Sequence, residues 1–566
     1  MAKFTVSPGV AISEIDNTFL TGQPVQAGAA IIGPTVKGPV ENPTLVTSYS
    51  DYVNLFGDTF ISGGNSYSYL TSIAAYNYFN YGGSSLLVTR VVTGSYTPAS
   101  STVVSNYLNA ASSSFTLETL SQGVIMNSSS SIDSNGALFS GSNDNIRFEI
   151  TNSNTGSGTF NVLIRRGNDI TNNPVILESF NNVNLDPNSN RYIASVIGDQ
   201  RLNYNATNNQ MEVTGSYSNK SRYVRVKAVN YNTPNYFDAS GTPVSAYTAS
   251  IPVNGSGSFT GATGTLNTTM NMYDNISTNT QGLTGGCYDN MISLLGNRDA
   301  YQFNVLFAPG LVNDTHTTQI TNIITNTQNR GDNLFVLDLT DFNSTVVDAT
   351  VEAQKRDTSY AAAYWPWVRI ADPATGKQVW VPASTMIPGV YAFNDKVSAP
   401  WFAPAGINRG GLNTVLQAQF KLSQANKDAL YSSNVNPLAT LPKNGVVVFG
   451  QKTLQKASSA LDRVNVRRLL IELKSYIRQV ADTVVFEQNT IATRNSFLAK
   501  VGPYLDIIQQ KQGLYAYKVV MDDSNNGPAV IDQNQLVGQI YIKPTRTAEF
   551  ISLDFILLPT GANFPG

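Results

Sequence analysis

The chain carries the stretch EFISLDFIL at residues 549–557. Apolar side chains occupy alternate positions of this stretch, with Ile556 as the exception: Ile551, Leu553, Phe555 and Leu557. A period of two predicts a half-buried β-strand. A second strand is predicted over residues 536–542 and contains Ile540 and Ile542. So regular a strand needs a partner sheet, which belongs to the same subunit or to a neighbouring one, because a free sheet edge can recruit another chain.

The composition limits the classes of function. At 566 residues the chain is too long for one hydrophobic core, and we expect about three or four domains. Charged residues make up only 13%, about half of the usual share, and the formal net charge is -2. The electrostatic field of a chain with so small a net charge is too weak to attract nucleic acid or an anionic membrane. We therefore expect no direct nucleic-acid binding. We also expect no membrane insertion, because no window approaches the ~18 apolar residues of a spanning helix.

Residues that carry out chemistry are scarce. The single cysteine, Cys287, excludes an intrachain disulfide and a multi-cysteine metal site. The single histidine, His316, lies near the start of a predicted helix and is interpreted as a capping or surface residue. Residues 1–9 lack the apolar run of a signal peptide, so we expect synthesis in the cytoplasm.

Three motifs come close to known sites and fail on spacing. Residues 33–38 contain glycines and a lysine but lack the P-loop pattern. Residues 522–527 begin like a calcium loop, but Gln533 stands where a bidentate glutamate is required, so we expect a hairpin turn. Asp338 and Asp341 end a predicted strand without the glycine fingerprint of a nucleotide site, and we expect structural roles. The sequence thus predicts no catalytic residue, cofactor or metal, and no enzyme.

The sequence pattern changes along the chain and predicts a multidomain α+β fold. Residues 1–23 are turn-rich and typical of an arm, and residues 24–95 form a compact unit of strands and helices. Short alternating segments between serine and glycine runs predict a β-rich insertion over residues 96–285. Residues 286–398 alternate strands with helices, as in a βαβ unit. Residues 399–566 hold the longest helical patterns and the closing strands.

Three helices are predicted in the last region: 416–431, 461–482 and 491–510, the last interrupted near Pro503. The middle one has five basic side chains: Arg463, Arg467, Arg468, Lys474 and Arg478. Two interpretations stay open. The basic groups either form internal ion pairs on a solvated face or form a contact surface for an acidic partner.

Several motifs resemble the contractile tail sheath family. They are YAAAYWPWV at 360–368, DPATGK at 372–377, WFAPAGINRG at 401–410, LDRVNVRRL at 461–469 and TRTAEFI at 545–551. The opening Ser7-Pro8-Gly9-Val10 is also typical of that family. The resemblance covers about residues 290–566 and the first ~95 residues, whereas 96–285 matches no family that we can name.

The resemblance implies a structural subunit of the contractile tail of a myovirus-type bacteriophage. Such subunits stack as hexameric rings around a tail tube, in a helical assembly that contracts and drives the tube through the host cell envelope for genome delivery. The sheath of a tailocin or of another contractile injection system is the alternative. The family's core is an α/β sheath domain built from both chain ends, and variable, outward-facing insertions occur where 96–285 lies.

The resemblance also implies partners and site residues. The partners are further copies of the subunit, the tail tube protein, and the baseplate and tail terminator proteins, within a virion assembled in the host cytoplasm. The predicted subunit-linking residues of the N-terminal arm are Pro8, Val10, Ile12, Glu14 and Ile15. The C-terminal residues predicted to link subunits or to complete the core sheet are Ile540, Ile542, Ile551, Leu553, Phe555 and Leu557. The candidate tube-facing residues are the five basic side chains of 461–482.

Overall fold

The computed structural model describes residues 25–105, 112–266 and 271–550. The arm residues Pro8, Val10, Ile12, Glu14 and Ile15 lie outside the described residues, and so do Ile551, Leu553, Phe555 and Leu557. In the described part of the chain, no helix has the length and apolarity to cross a membrane.

The helices and strands follow one another in four groups. The first contains β1 (Val25–Gly33), β2 (Thr44–Val46), α1 (Tyr49–Phe56), β3 (Phe60–Ser62), β4 (Asn65–Tyr67), α2 (Leu70–Asn80) and β5 (Leu86–Arg90). The second contains β6 (Pro98–Ser105), β7 (Ser112–Gln122), β8 (Ile146–Asn154), β9 (Thr159–Arg166), β10 (Ile176–Asn184), α3 (Ile193–Ile197), β11 (Arg201–Asn205), β12 (Gln210–Thr214), β13 (Val224–Val229), α4 (Ser245–Thr248), β14 (Gly255–Ser258), β15 (Asn279–Thr280) and β16 (Leu283–Thr284).

The third group contains α5 (Asp289–Leu295), β17 (Tyr301–Val312), α6 (Thr317–Arg330), β18 (Leu334–Asp338), α7 (Val346–Gln354), β19 (Ala361–Trp365), β20 (Val368–Ala371), β21 (Gln378–Val381), α8 (Ile387–Val397), β22 (Val415–Ala418), α9 (Gln424–Ser432), β23 (Val435–Leu441) and β24 (Gly445–Val448). The fourth contains α10 (Val464–Asp482), α11 (Ile491–Gln510), β25 (Leu514–Val520), α12 (Pro528–Asp532) and β26 (Gln539–Pro544).

An eight-stranded central sheet organises the molecule, in the order β2-β5-β1-β17-β18-β19-β23-β24. β1 lies between β5 and β17 and is parallel to both, so the first and third groups share one sheet. Both faces are covered, which explains the continuous apolar runs of its strands. Ala29 and Ile31 pack in the core beneath α2 and α8. Ala30 and Ile32 pack in the opposite core, beneath α5 and α6.

The second group builds two further sheets, ordered β10-β9-β8-β14 and β13-β7-β6. They enclose a hydrophobic core of their own, in which the rings of Phe115 and Phe160 stack with centroids 5.6 Å apart. Arg90, at the end of β5, is fully buried and donates to the carbonyls of Gly38 at 2.6 Å and Gln122 at 2.8 Å. This guanidinium therefore joins the central sheet to the β-rich group.

The fourth group forms a separate C-terminal lobe. Its core contains Leu469 and Leu473 of α10 and Val501 and Leu505 of α11. The molecule is thus a mixed α/β protein with several sheets and cores, which agrees with the predicted multidomain α+β class at that level. The predicted domain boundaries at residues 23, 95, 285 and 398 stay predictions.

Two predicted helices differ from the structure. Residues 416–431 do not form one helix, because the segment begins in β22, which pairs with β20, and Ser423 then caps α9. The interruption of 491–510 is also wrong, since α11 contains Pro503 inside its length. Pro503 leaves the carbonyl of Ala499 without its helical donor. Ala499 is exposed, so water can satisfy that carbonyl.

Candidate functional site in the C-terminal lobe

The lobe contains a sheet of only two strands. β25 and β26 are antiparallel, with Val519 opposite Ile540 and Tyr517 opposite Ile542. These four side chains face the helices and pack against the lobe's core. Among the described residues, neither strand has a second strand partner. Both outer edges therefore present unpaired backbone groups, and such an edge can accept a strand from another segment.

After β26 the chain crosses from the lobe to the central sheet. We call residues 545–550 the strap. Thr545 fastens its beginning to the lobe, because its backbone N–H donates to the carbonyl of Gly513 at 3.2 Å and its hydroxyl donates to the carbonyl of Gln512 at 2.6 Å. Thr547 fastens the middle, where its hydroxyl accepts from Nε2 of Gln451 at 2.6 Å. The strap therefore bridges two bodies that have separate hydrophobic cores.

Glu549 fastens the end of the strap. Oε1 accepts from Nε of Arg463 at 2.8 Å and from Nε2 of Gln451 at 3.0 Å, and Oε2 accepts from the hydroxyl of Tyr431. Burial opposes ionisation of this carboxyl group, but the hydrogen bonds from Tyr431, Arg463 and Gln451 outweigh it and lower the pKa of Glu549. The carboxylate is therefore charged at neutral pH and joins three donors from separate parts of the chain.

A groove of about 1190 Å³ runs beneath the strap, between the lobe and the central sheet. Its lining is mixed: aromatic and apolar side chains such as Trp401, Phe402 and Phe449 alternate with polar and charged ones such as Arg409 and Lys427. Nε1 of Trp401 donates to the carbonyl of Lys511 at 3.0 Å, which ties the two walls together. Phe550 is 82% exposed and lies at the point where the chain leaves the described residues.

Comparison with known proteins finds similarity in this part of the chain. Residues 456–557 match the family model described as the phage tail sheath C-terminal domain. The chain is 39% identical over 216 residues to the tail sheath protein of Vibrio phage KVP40, a match that spans 38% of this chain and 32% of that protein. It is 40% identical over 185 residues to the tail sheath protein of Enterobacteria phage T4, a match that spans 33% of this chain and 28% of that protein.

These matches therefore cover about a third of each relative's length. One solved structure extends the likeness in fold to most of the chain. A sheath tail protein from Listeria innocua superimposes with a TM-score of 0.51 at 10% identity, over 92% of this chain and 96% of that one. The similarity at this identity concerns the fold alone.

Within residues 456–557, two of the predicted tube-facing residues are buried. Arg467 is 3% exposed, and its guanidinium lies 4.0 Å from the ring centroid of Tyr360. Arg468 is 4% exposed and forms two hydrogen bonds with the carboxylate of Asp395, one of them at 2.9 Å, while it lies over the ring of Tyr391. Because both are covered by elements of the same subunit, they do not lie on its surface.

The other three basic residues are more accessible. Lys474 and Arg478 are exposed, and Arg478 lies 3.3 Å from the carboxylate of Asp299, which is itself 81% exposed. Arg463 is part of the Glu549 cluster and also lies 3.2 Å from Asp462. The five side chains therefore do not form one basic surface, and a tube-facing role for Lys474 and Arg478 stays a prediction.

The remaining candidate residues from the sequence, Asp338 and His316, are buried and hydrogen-bonded within the fold. Asp338 is fully buried and accepts hydrogen bonds from the backbone N–H and the hydroxyl of Ser384; burial raises its pKa to about 7. His316 precedes α6, and its Nδ1 accepts from the backbone N–H of Val312 at 3.2 Å; burial lowers its pKa. In the described ranges no group of three or more His, Cys, Asp or Glu side chains could hold a metal ion.

The prediction of a hairpin turn at 522–527 is wrong, because these residues do not join β25 directly to β26. Gly527 precedes α12, and the side-chain amide of Asn526 bonds with both backbone groups of Val537, so a longer connection joins β25 to β26. Sequence reasoning also missed the role of Glu549. The glutamate was visible only as part of the TRTAEFI motif, and its three donors lie 86 or more positions away along the chain.

Proposed function

We propose that this protein is the structural subunit of a contractile bacteriophage tail sheath, not an enzyme. Copies stack as hexameric rings around the tail tube and contract to drive the tube through the host envelope. The observation that carries the proposal is the match of residues 456–557 to the sheath domain family. The phage origin of the relatives from KVP40 and T4 favours a phage tail over a tailocin or another contractile injection system.

In this proposal the chain ends link neighbouring subunits. The open edges of β25 and β26 support it, because an added strand satisfies backbone groups without requiring a large apolar patch. Residues 551–557 have the alternation of a strand and follow directly on the strap. Residues 7–16 are the matching candidate at the other end. Flexible links of this kind keep a lattice connected while its subunits change their packing.

The proposed core contains both chain ends, and the pairing of β1 with β17 supports that arrangement. The β-rich group faces outward, away from the tube, while the sheath domain faces inward. The tail tube, the baseplate and the tail terminator are the proposed partners, and the virion tail is the proposed location. No cofactor takes part in this mechanism, in which contraction exchanges one packing of subunits for another of lower free energy.

Electron microscopy of the purified full-length protein tests the proposal. We expect rings or long cylinders at high concentration. Monomers or small oligomers, stabilised by a nucleotide or another small ligand, would instead favour an enzyme built on the α/β sheet. Two deletions test the linking segments separately: removal of residues 551–566 and removal of residues 1–18. Each should prevent the formation of full-length cylinders while the circular dichroism spectrum of the subunit is retained.

A further inference from the structure

We propose that Glu549 is a latch that carries the pull between neighbouring subunits into the body of the subunit. The inference rests on the proposed function, because the latch is loaded only if residues 551–566 link one subunit to the next. The structure places the glutamate one residue before Phe550, where the described chain ends and the linking segment begins. In the proposed function, a pull on residues 551–566 therefore enters the described part of the subunit next to Glu549.

The need for a latch follows from how β26 is held. Among the described strands it pairs with β25 alone, and its other support is the packing of Ile540 and Ile542 on the lobe's core. A pull on residue 551 without the latch would act first on the hydrogen bond between Thr547 and Gln451 and then on Thr545 and Pro544. It would open the ladder from its end, one backbone pair at a time. Anchoring the chain at Glu549 keeps that force away from β26.

The residues around Glu549 connect it to the rigid part of the molecule. Tyr431 ends α9, Gln451 follows β24, and Arg463 caps α10, so the three donors belong to separate elements at one end of the central sheet. Tyr431 is itself held, because Nζ of Lys452 donates to its carbonyl at 2.8 Å and lies 4.3 Å from its ring centroid. The cradle is therefore fastened independently of the strap.

The chemistry of the cluster suits a strong but reversible attachment. The Glu549 side chain is 18% exposed and that of Arg463 is 25% exposed, so water screens their ion pair only in part. Hydrogen bonds to an ionised acceptor are roughly twice as strong as neutral ones. Phe550 adds an edge-on ring contact with Tyr431, with centroids 6.5 Å apart. Loss of the carboxylate removes one acceptor from three donors, of which Gln451 retains Thr547 and Arg463 retains Asp462.

Three full-length variants test the latch. Glu549→Ala removes the acceptor, and Glu549→Gln keeps the side-chain size and one acceptor oxygen. Arg546→Ala is the matched control, because Arg546 lies in the same strap, is exposed and forms no hydrogen bond or ion pair within the described part of the chain. Hydrogen exchange of the Thr545 amide reports release of the strap, because among the described residues it is the strap's one backbone N–H with a hydrogen-bond acceptor, the carbonyl of Gly513. We expect exchange about tenfold faster or more for Glu549→Ala, an intermediate increase for Glu549→Gln and no change for Arg546→Ala.

Assembly is then measured on the same variants by electron microscopy, together with a deletion of residues 551–566. The latch predicts that Glu549→Ala gives at least fivefold fewer full-length cylinders than Arg546→Ala. Unchanged exchange of the Thr545 amide in Glu549→Ala overturns the latch. So does normal assembly of Glu549→Ala alongside failure of the deletion variant, a result that leaves the proposed function intact. Normal assembly of the deletion variant instead overturns the linking role of the segment, and the latch with it.

Discussion

The central sheet and the sheet of the C-terminal lobe differ in the number of strands, in the burial of their faces and in what lies at their edges. The central sheet has eight strands, buries both faces and ends in a three-residue strand, β2, at one edge and in β24, bridged by Gly411, at the other. The lobe's sheet has two strands and buries one face, and within the described residues it leaves both edges without a strand. The lobe's sheet is held to the central sheet by α10 and by the strap.

The largest difference should appear when one core side chain is truncated in each sheet. Phe307 of β17 is fully buried in the central core, whereas Val519 of β25 is half-buried. We expect Phe307→Ala to cost about 3–5 kcal/mol of the free energy of unfolding and Val519→Ala only about 1 kcal/mol. Urea unfolding of the unassembled subunit, followed by tryptophan fluorescence, measures both. Equal costs would mean that Val519 is packed as tightly as Phe307, contrary to this comparison.

The second prediction concerns the pH dependence of the free energy of unfolding and involves the central sheet only. Burial raises the pKa of Asp338 from its ordinary value near 4 to about 7. The folded state therefore holds this proton more tightly than the unfolded state. Protonation of Asp338 therefore contributes up to about 4 kcal/mol to the free energy of unfolding. This contribution is fully present below a pH of about 4 and is lost as the pH rises from about 4 to about 7. Asp338→Asn removes the titrating group.

The free energies of unfolding of both proteins at pH 5 and pH 8 check this effect. We expect the difference between Asp338→Asn and the unchanged protein to shift in favour of the variant at pH 8. An equal difference at the two pH values would show that Asp338 does not titrate in this range. Protection factors of the amides in β25 and β26, which are corrected for the intrinsic pH dependence of exchange, should not follow this change, because Asp338 lies in the other body.

The sequence was informative where burial leaves a continuous pattern. The central strands β1, β17 and β18 are read directly from their apolar runs, since a strand covered on both faces contains few polar residues. β22 was missed because it is short and exposed, so its residues fit a helical pattern equally well. The conformation of a surface segment is decided by its partner strand, and β20 precedes it by more than 40 residues.

Contacts with residues that are distant in sequence also explain why the site predictions were incomplete. Spacing on α10 revealed five basic side chains but not which elements would cover them. Tyr360 and Asp395 bury Arg467 and Arg468 from a distance of 70 or more positions along the chain. Local pattern carries no information on such contacts. Glu549 was missed for the same reason, since its role depends on the position of Tyr431, Gln451 and Arg463 in three dimensions.

A moderate effect and the smallest expected effect lie at the two ends of α10, which packs on both bodies. Its first half carries Arg468, whose partner Asp395 lies on α8. Asp395→Ala leaves a buried guanidinium without its counter-charge, which costs about 2–3 kcal/mol after allowance for the partial exposure of Asp395. The second half carries Arg478, whose pair with Asp299 is exposed on both sides, and Arg478→Ala should change the free energy of unfolding by less than about 0.5 kcal/mol.

The two variants differ in salt dependence as well as in size, and this gives the sharper test. Water and ions screen the Arg478 pair, so raising the ionic strength should abolish the effect of Arg478→Ala. The loss in Asp395→Ala should persist at high salt, because the stranded charge of Arg468 is buried. Urea unfolding at low and high sodium chloride measures both. A salt-sensitive loss in Asp395→Ala would mean that water reaches Arg468 in the folded subunit. The first half of α10 would then be as accessible to an acidic partner as the second.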